Sequence, residues 1–314
     1  MAGAASRVVA PNPRSARVAA SDPRPARAAA STLGAPLSLA APATGPYAGA
    51  RVACVTKHEK ARWIAPPFAE VLGARVFEVR EVDTDRFGTF SGEVPRVLSP
   101  VDAARAKIAA GRDVTDAPVS IATEGSFSAG FGLGIEHHEV LLLVDHARGL
   151  ELTEQQVTRH ARTPGRAVRD AEDACLLATQ MGFPAQGVMV RTPTEVFTDL
   201  DSIETVRSLT GSLLQREPVY LELDYRAHRC PDRAEVIGEL AARMARRLAT
   251  ACPACDAPGF GRVDVVRGAP CAQCGLATRG IVADVLGCAG CEERRPVARP
   301  MLPVDPRWCD HCNP

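Results

Sequence analysis

Four Cys-x-x-Cys pairs near the C-terminus constrain this chain more than any other feature. They are Cys252-Pro-Ala-Cys255, Cys271-Ala-Gln-Cys274, Cys288-Ala-Gly-Cys291 and Cys309-Asp-His-Cys312. Two intervening residues let both sulfurs of a pair turn toward one point, and two such pairs complete a tetrahedron of thiolates around Zn²⁺. The sequence therefore predicts two structural zinc ions in a double zinc-ribbon-like module over residues 251–314.

The pairing of the four turns is open. The gaps between successive pairs are 15, 13 and 17 residues, and each gap suits a short β-ribbon. Sequential pairing is favoured, with one site at Cys252, Cys255, Cys271 and Cys274 and the other at Cys288, Cys291, Cys309 and Cys312. Interleaved pairing is the alternative. Four thiolates leave no coordination position for water, so both sites are expected to be structural and not hydrolytic. His311 is expected to be exposed.

The use of cysteine and the distribution of apolar residues indicate the cellular location of the protein. Eight of the 11 cysteines stand in the metal-type pairs, which favours a reducing compartment over a disulfide framework. The chain starts without an apolar signal segment and has no uninterrupted apolar run near 18 residues. We therefore expect a cytoplasmic protein with no membrane span, in which Cys54, Cys175 and Cys230 are buried.

The first 48 residues consist almost wholly of Ala, Arg, Pro, Ser and Gly. Such a segment buries too little apolar surface to offset the entropy of ordering it, so residues 1–48 are predicted to be a disordered tail. Residues 49–250 are then the main folded domain.

Strands and helices alternate through that domain. Strands are predicted at 51–56, 75–79, 118–123, 140–145, 187–191 and 219–223. The first predicted helix follows the first strand, carries Ile64, Phe68, Val71 and Leu72 on one face, and has its start confined by Pro66-Pro67. Further helices are predicted from Ser99 to Gly111, from Thr163-Pro164 to Gly182, and from Pro231 to about Ala249. The alternation predicts an α/β fold with a mainly parallel or mixed sheet and flanking helices.

Polar residues gather after three of these strands. They are Thr56, Lys57, His58 and Lys60, then Asp83, Asp85, Arg86 and Glu93, and then Glu124 and Ser126. Open α/β sheets bind ligands at the carboxyl ends of their strands. Lysines at the start of a helix suit phosphate, and nearby carboxylates suit Mg²⁺. The alternative is that these are ordinary solvated loop charges.

Several motifs resemble a bacterial family, domain of unknown function 6671. They are Asp83-Thr-Asp-Arg-Phe-Gly-Thr-Phe-Ser-Gly-Glu93, Ala104-Arg-Ala-Lys107, Ala122-Thr-Glu-Gly-Ser-Phe127, Asp224-Tyr-Arg-Ala-His228 and Cys309-Asp-His-Cys-Asn-Pro314. The resemblance spans residues 51–314 and implies no particular activity.

A fainter resemblance is to the inosine/xanthosine triphosphate pyrophosphatases. Thr56…Lys60, Ala104…Lys107 and Glu124-Gly125-Ser126 occur in the order and at the spacing of that family's motifs, with His58 in place of its loop asparagine. The resemblance implies a nucleotide substrate and adds Lys107 to the candidate substrate-binding residues.

The functional hypothesis is a Mg²⁺-dependent phosphohydrolase. Lys57 and Lys60 would hold phosphate oxygens, with Thr56, His58, Lys107 and Ser126 also contacting the substrate. Glu124, with Asp83, Asp85 or Glu93, would hold the metal and orient water. The polar cluster of Asp224, Arg226, His228 and Arg233 is interpreted as a surface pair that holds a loop.

The alternative is a non-catalytic binding or adaptor protein that uses the zinc module for a protein or nucleic-acid partner. Nucleic acid is not expected, because the module is electrically neutral and has two aromatic residues, Phe260 and Trp308. The sequence does not specify the oligomeric state.

Overall fold

The computed structural model describes residues 45–90, 92–129 and 134–314. The predicted disordered tail lies outside the described residues, apart from its last four positions. Among these, Tyr47 is 2% exposed, and its hydroxyl donates a hydrogen bond to Asp145 Oδ2 at 2.9 Å. Residues 45–48 are thus anchored to the main domain by a buried side chain.

A five-stranded mixed sheet forms the main domain. Its strands are β1 (Arg51–Val55), β2 (Arg75–Val79), β3 (Val119–Ala129), β4 (Ile135–Asp145) and β5 (Leu150–His160), in the order β2-β1-β3-β4-β5. The pairs of β1 with β2 and with β3 are parallel, whereas β3, β4 and β5 run antiparallel. The prediction of a mixed sheet is confirmed.

Two further sheets and five helices complete the described fold. The helices are α1 (Ala61–Leu72), α2 (Pro100–Arg112), α3 (Ala171–Met181), α4 (Ile203–Leu213) and α5 (Pro231–Leu248). The remaining strands are β6 (Arg166–Ala167), β7 (Val188–Arg191), β8 (Val196–Phe197), β9 (Tyr220–Leu223), β10 (Gly261–Arg267), β11 (Ile281–Gly287) and β12 (Arg294–Ala298). The sheet orders are β6-β9-β7-β8 and β10-β11-β12, both antiparallel.

Helices cover both faces of the main sheet. The apolar stripe of α5, for example Leu240, lies in one buried cluster with Phe68 of α1 and Ile121 of β3. On the opposite face, Ile108 of α2 packs in a cluster with Ala122 of β3 and Leu142 of β4. The main sheet is therefore the middle layer of three, as the long apolar strands require.

The capping signals of α2 are confirmed, but two other helix starts differ from prediction. Ser99 Oγ accepts a hydrogen bond from the Asp102 N–H at 3.2 Å and caps α2. The prolines at 66 and 67 lie inside α1 and do not confine its start. The helix predicted from Thr163 begins only at Ala171, because Asp170 caps it and the preceding residues form strand β6.

The most consequential difference is the length of β3. The prediction that this strand ends at residue 123 and that Glu124 and Ser126 lie in a loop is wrong. β3 continues to Ala129, paired residue by residue with β4. Because Cys54 of β1 is opposite Ile121 of β3, the rest of β3 extends past the carboxyl end of β1. This extension forms one wall of the pocket described below.

None of the helices in the described ranges is both long and apolar enough to cross a membrane.

Candidate metal centres and anion pocket

The eight paired cysteines form two clusters, and the pairing is interleaved. The inner cluster is Cys252, Cys255, Cys288 and Cys291; the outer cluster is Cys271, Cys274, Cys309 and Cys312. Within each cluster the sulfurs all lie within 4.8 Å of one another. The sequential pairing that the sequence favoured is wrong.

The path of the chain explains the interleaving. Strand β10 runs from the first Cys-x-x-Cys turn to the second, β11 returns toward the third, and β12 leads back toward the fourth. In an antiparallel meander, alternate turns lie at the same end of the sheet. Each gap between cysteine pairs therefore contains one strand, whereas sequential pairing needs a hairpin within the gap.

The sulfur spacing fits a tetrahedral metal ion. Cys252 and Cys291 are 3.8 Å apart at Sγ, and Cys274 and Cys309 are 3.7 Å apart. A tetrahedron with metal–sulfur bonds of about 2.3 Å has sulfur–sulfur edges of about 3.8 Å. Both clusters thus have the dimensions of a four-thiolate site.

Backbone amides support the thiolates. The N–H groups of Ala254 and Gln273 donate to the sulfurs of Cys252 and Cys271, each at 3.4 Å. The backbone N–H groups of Cys274 and Gln273 lower the pKa of the Cys271 thiol to about 7. A thiol of lower pKa loses its proton more readily, and the resulting thiolate is the form that binds metal.

Polar residues of the main domain line a pocket of about 110 Å³ at the carboxyl end of β1. Seven of the ten candidate residues predicted for the crevice lie in its wall: Thr56, His58, Lys60, Asp85, Glu93, Lys107 and Glu124. At roughly 10–15 Å³ per water molecule, the volume is that of a small hydrated group such as a phosphoryl group.

The three remaining candidates lie outside the pocket wall. Lys57 is exposed and pairs with Asp83 at 2.8 Å and with the pocket residue Asp85 at 3.5 Å. Ser126 lies within β3 opposite His138. These three residues therefore do not line the pocket that contains the other seven candidates.

Glu124 is a buried ion-pair partner, not an exposed loop carboxylate. One of its oxygens pairs with Lys107 of α2, and the other pairs with Arg96, which also donates to the Gly125 carbonyl. Burial raises the pKa of Glu124, but the charges of Lys107, Lys60 and Arg96 outweigh burial and lower it. With both oxygens paired to cations, Glu124 does not present a free metal ligand.

Arg233 and Glu139 form a second buried pair beside it. The guanidinium donates from Nε to Glu139 Oε2 at 2.8 Å and from Nη2 to Oε1 at 3.1 Å, and both side chains are almost fully buried. Gly125 is required here because a Cβ at this position would lie 2.1 Å from Glu139 Oε2. The Glu-Gly-Ser sequence thus makes room for the pair on the face of β3.

Lys60 differs from the other cations of the pocket. It is 5% exposed, and its ammonium donates to the Thr123 carbonyl oxygen at 3.0 Å. Among the described residues, no carboxylate lies within ion-pair distance of it. Burial and the charges of Arg233 and Lys107 lower its pKa from the ordinary 10.5 to about 7.

The second polar cluster of the sequence belongs partly to the same pocket. Arg226 lines it and is held by both Asp224 and Asp199, while Arg233 lines it from α5. The His228 ring stacks on His58, with centroids 5.5 Å apart. The interpretation of this cluster as a surface pair is wrong, because Asp224 and Arg233 are buried. Cys230, the residue before α5, is a weak helix cap because its side chain makes no capping hydrogen bond, and this residue type is the sequence signal that could have indicated another role for the cluster.

His58 faces Asp85 in this pocket. Its Nε2 lies 3.2 Å from Asp85 Oδ1. Burial and the nearby Lys60 charge lower the pKa of His58 to about 4, although Asp85 opposes them. The ring is therefore neutral at pH 7.

Across the described residues, the two cysteine clusters are the only groups of three or more His, Cys, Asp or Glu ligand atoms that converge. Asp85 and Glu93 line the pocket with Glu124, whereas Asp83 lies outside it, and the Mg²⁺ site expected at Glu124 with one of these carboxylates stays a prediction.

Comparison with known families gives one match. The family model described as Domain of unknown function (DUF6671) matches residues 107–314, about two thirds of the chain. The match includes both cysteine clusters, Glu124 and Arg233, but begins after Lys60 and Asp85. No curated protein matches the chain.

Proposed function

The chain belongs to the DUF6671 family, and we propose that this member is a zinc protein whose pocket binds and hydrolyses a phosphorylated small molecule. The observation that carries the proposal is Lys60, a buried amine with no carboxylate partner among the described residues. A buried group of this kind is stabilised when an anion enters beside it.

The charge balance around Lys60 supports an anionic ligand. Four cationic side chains and two carboxylates form a network of ion pairs around Lys60. The cations are Lys60, Lys107, Arg96 and Arg233, and the carboxylates are Glu124 and Glu139. When Lys60 is protonated, the excess in this network is two positive charges, and the other charged residues of the pocket wall, Asp85, Glu93 and Arg226, reduce it to one. The remaining positive charge favours an anionic ligand such as a phosphate group. At about 4 Å, each unit-charge interaction is on the order of 4 kcal/mol near a protein surface.

His58 is the candidate group for water activation. In hydrolysis, a water oxygen forms a bond to phosphorus, the P–O bond to the leaving phosphate breaks, and the water proton passes to a base. His58, held by Asp85, is a weak base while the pocket is empty, because its pKa is lowered to about 4. The negative charge of a bound phosphate group raises that pKa toward neutrality, and the ring then accepts the proton. A Mg²⁺ ion bound with the substrate would be held by Asp85 and Glu93 and would neutralise phosphate charge.

The resemblance to inosine/xanthosine triphosphate pyrophosphatases supports nucleoside triphosphates as the first class to test. The residues that carry it come from three separate parts of the chain. Lys60 follows β1, Lys107 lies on α2 and Glu124 lies on β3, and all three line the pocket.

Zinc is the metal proposed for the cysteine clusters. Four thiolates in a tetrahedral arrangement favour Zn²⁺ among common biological metals and leave no open position for a substrate. The proposed role is structural, in two zinc-ribbon-like sites. Thiolate ligands must stay reduced, so a cytoplasmic location accompanies the proposal.

A partner-binding role for the zinc module is the second candidate. The observation that favours it is the set of large apolar side chains exposed on this part of the chain: Val263, Val266, Leu276, Val297, Met301, Leu302 and Trp308. Exposed apolar residues collected on one module are typical of interaction surfaces.

The test of the pocket compares two lysines of one loop. Purified protein is incubated with a panel of standard and deaminated nucleoside triphosphates and Mg²⁺ or Mn²⁺, and released phosphate and pyrophosphate are measured. Lys60→Ala should lower kcat/KM on the order of 10²-fold, because the buried cation at the phosphate is lost. Lys57→Arg is the control in the same loop, and it should change kcat/KM by less than about twofold, because an arginine keeps the exposed ion pairs with Asp83 and Asp85.

Two results would overturn the proposal. The first is absence of turnover and of phosphate or pyrophosphate binding in the wild-type protein, which would favour the partner-binding role. The second is an equal loss in both lysine variants, which would place the chemistry outside this pocket.

A further inference from the structure

We propose that the amine of Lys60 is a carboxylation site, at which dissolved carbon dioxide adds reversibly to give a lysine carbamate. The inference goes beyond phosphate hydrolysis. It depends on the surroundings of one amine and needs no turnover of any substrate.

The geometry singles out Lys60 among the three lysines of the chain, which are Lys57, Lys60 and Lys107. Lys57 is paired with Asp83 at 2.8 Å, and Lys107 is paired with Glu124. Within the described ranges, the Lys60 amine has one hydrogen-bond partner, the Thr123 carbonyl, and Lys60 lines the pocket. The amine is thus accessible to a small neutral molecule and is not occupied by a carboxylate.

The protonation state suits this reaction, because an amine adds carbon dioxide only as the free base. Burial and two cations, Arg233 of α5 and Lys107 of α2, lower the pKa of Lys60 to about 7. Glu139 of β4 and Glu124 of β3 oppose them but are already paired. By contrast, the hydrogen bond to Asp83 raises the pKa of Lys57.

The reaction needs no reactant other than the amine and carbon dioxide. The nitrogen lone pair attacks the carbon of CO₂, an N–C bond forms, and the electrons of one C–O π bond move to oxygen. One N–H proton passes to solvent. The product carries one negative charge, and its remaining N–H can keep the hydrogen bond to the Thr123 carbonyl.

The surrounding charges favour the product. Within the ion pairs beside Lys60, three cations, Lys107, Arg96 and Arg233, face two carboxylates, Glu124 and Glu139, so a neutral Lys60 leaves one positive charge in excess among them. A carbamate removes that excess, whereas a protonated Lys60 doubles it. The same cations therefore depress the protonation of the amine and stabilise the anion that carboxylation creates.

The experiment uses the full-length protein in ¹³C-bicarbonate at about pH 8. ¹³C NMR detects the carbamate, and trapping with a trialkyloxonium salt followed by peptide mass spectrometry assigns it. The wild-type protein and Lys57→Arg should carry the label on residue 60, and inorganic pyrophosphate should reduce it by competing for the same cations. Lys60→Arg should lose the label.

Lys60→Arg keeps the positive charge, so it should still bind pyrophosphate in a thermal-shift assay, which also shows that the variant is folded. Absence of a carbamate in the wild-type protein, or its persistence in Lys60→Arg, would overturn the inference. A carbamate on Lys60 in a protein without hydrolase activity would support this inference and count against the proposed hydrolysis.

Discussion

Two double cysteine variants distinguish interleaved from sequential metal sites. Cys252→Ser/Cys288→Ser removes two ligands from the inner cluster and none from the outer cluster. Cys252→Ser/Cys271→Ser removes one ligand from each cluster. Both variants lose two thiols, so they are matched in everything except how the losses are distributed.

The expected effect is large because the module has little else to hold it. All five residues of β12 are exposed, and β10 has no fully buried residue. A structural Zn²⁺ site in small modules contributes on the order of 10–16 kcal/mol at neutral pH. An intact four-thiolate site should therefore hold its metal against a chelator, whereas a site with three or two thiolates should lose it.

The assay is metal content by mass spectrometry after exposure to a chelator such as EDTA. We predict two zinc ions per wild-type chain, one for Cys252→Ser/Cys288→Ser and none for Cys252→Ser/Cys271→Ser. If the sites were sequential, Cys252→Ser/Cys288→Ser would retain no zinc and Cys252→Ser/Cys271→Ser would retain one ion. Equal retention in both variants, or no zinc in the wild-type protein, would refute the reasoning.

Two further predictions concern the main domain. Glu124→Gln should lower the free energy of unfolding by about 3–5 kcal/mol, because Lys107 and Arg96 lose their shared anion in a buried setting; a loss below about 1 kcal/mol in urea denaturation would contradict the ion-pair geometry. Lys60 binds a proton in the unfolded chain up to its ordinary pKa of 10.5 but in the folded protein only up to about 7. The free energy of ligand-free unfolding should therefore rise with pH between those values, and Lys60→Met should flatten that rise in pH-dependent denaturation.

Local signals in the sequence predicted local structure well. Ser99, Pro100 and Asp102 locate the start of α2 because capping depends on residues within one turn. The stripe of Val236, Leu240, Met244 and Leu248 is buried along α5 as its spacing predicts. Such features require no knowledge of distant parts of the chain.

Features that depend on distant residues were missed. The polar sequence from Glu124 to Ser126 is typical of a loop, yet it stays in β3. Its one charged residue, Glu124, is paired with Lys107 and Arg96. These partners are 17 or more positions away in the sequence. The pattern of residues within the strand gives no indication of these distant partners.

The pairing of the cysteines failed for a similar reason. Gap lengths of 13 to 17 residues accommodate either one strand or a short hairpin. The choice between them follows from the meander of β10, β11 and β12, which is a property of the whole module. Equally, His228 and His58 are far apart in the chain, and only the fold stacks their rings beside the pocket.

The central claim is that Lys60 is the unpaired cation that receives an anion, and calorimetry of proton uptake tests it most directly. Sulfate serves as the probe because it does not titrate near neutral pH, and the titration is run in carbon dioxide-free buffers of different ionisation enthalpy at about pH 8. We predict binding with uptake approaching about one proton per sulfate, because the anion restores the charge on Lys60. In Lys60→Arg, which is always protonated, sulfate should bind without uptake. Binding to the wild-type protein without proton uptake, or equal uptake in Lys60→Arg, would contradict the account.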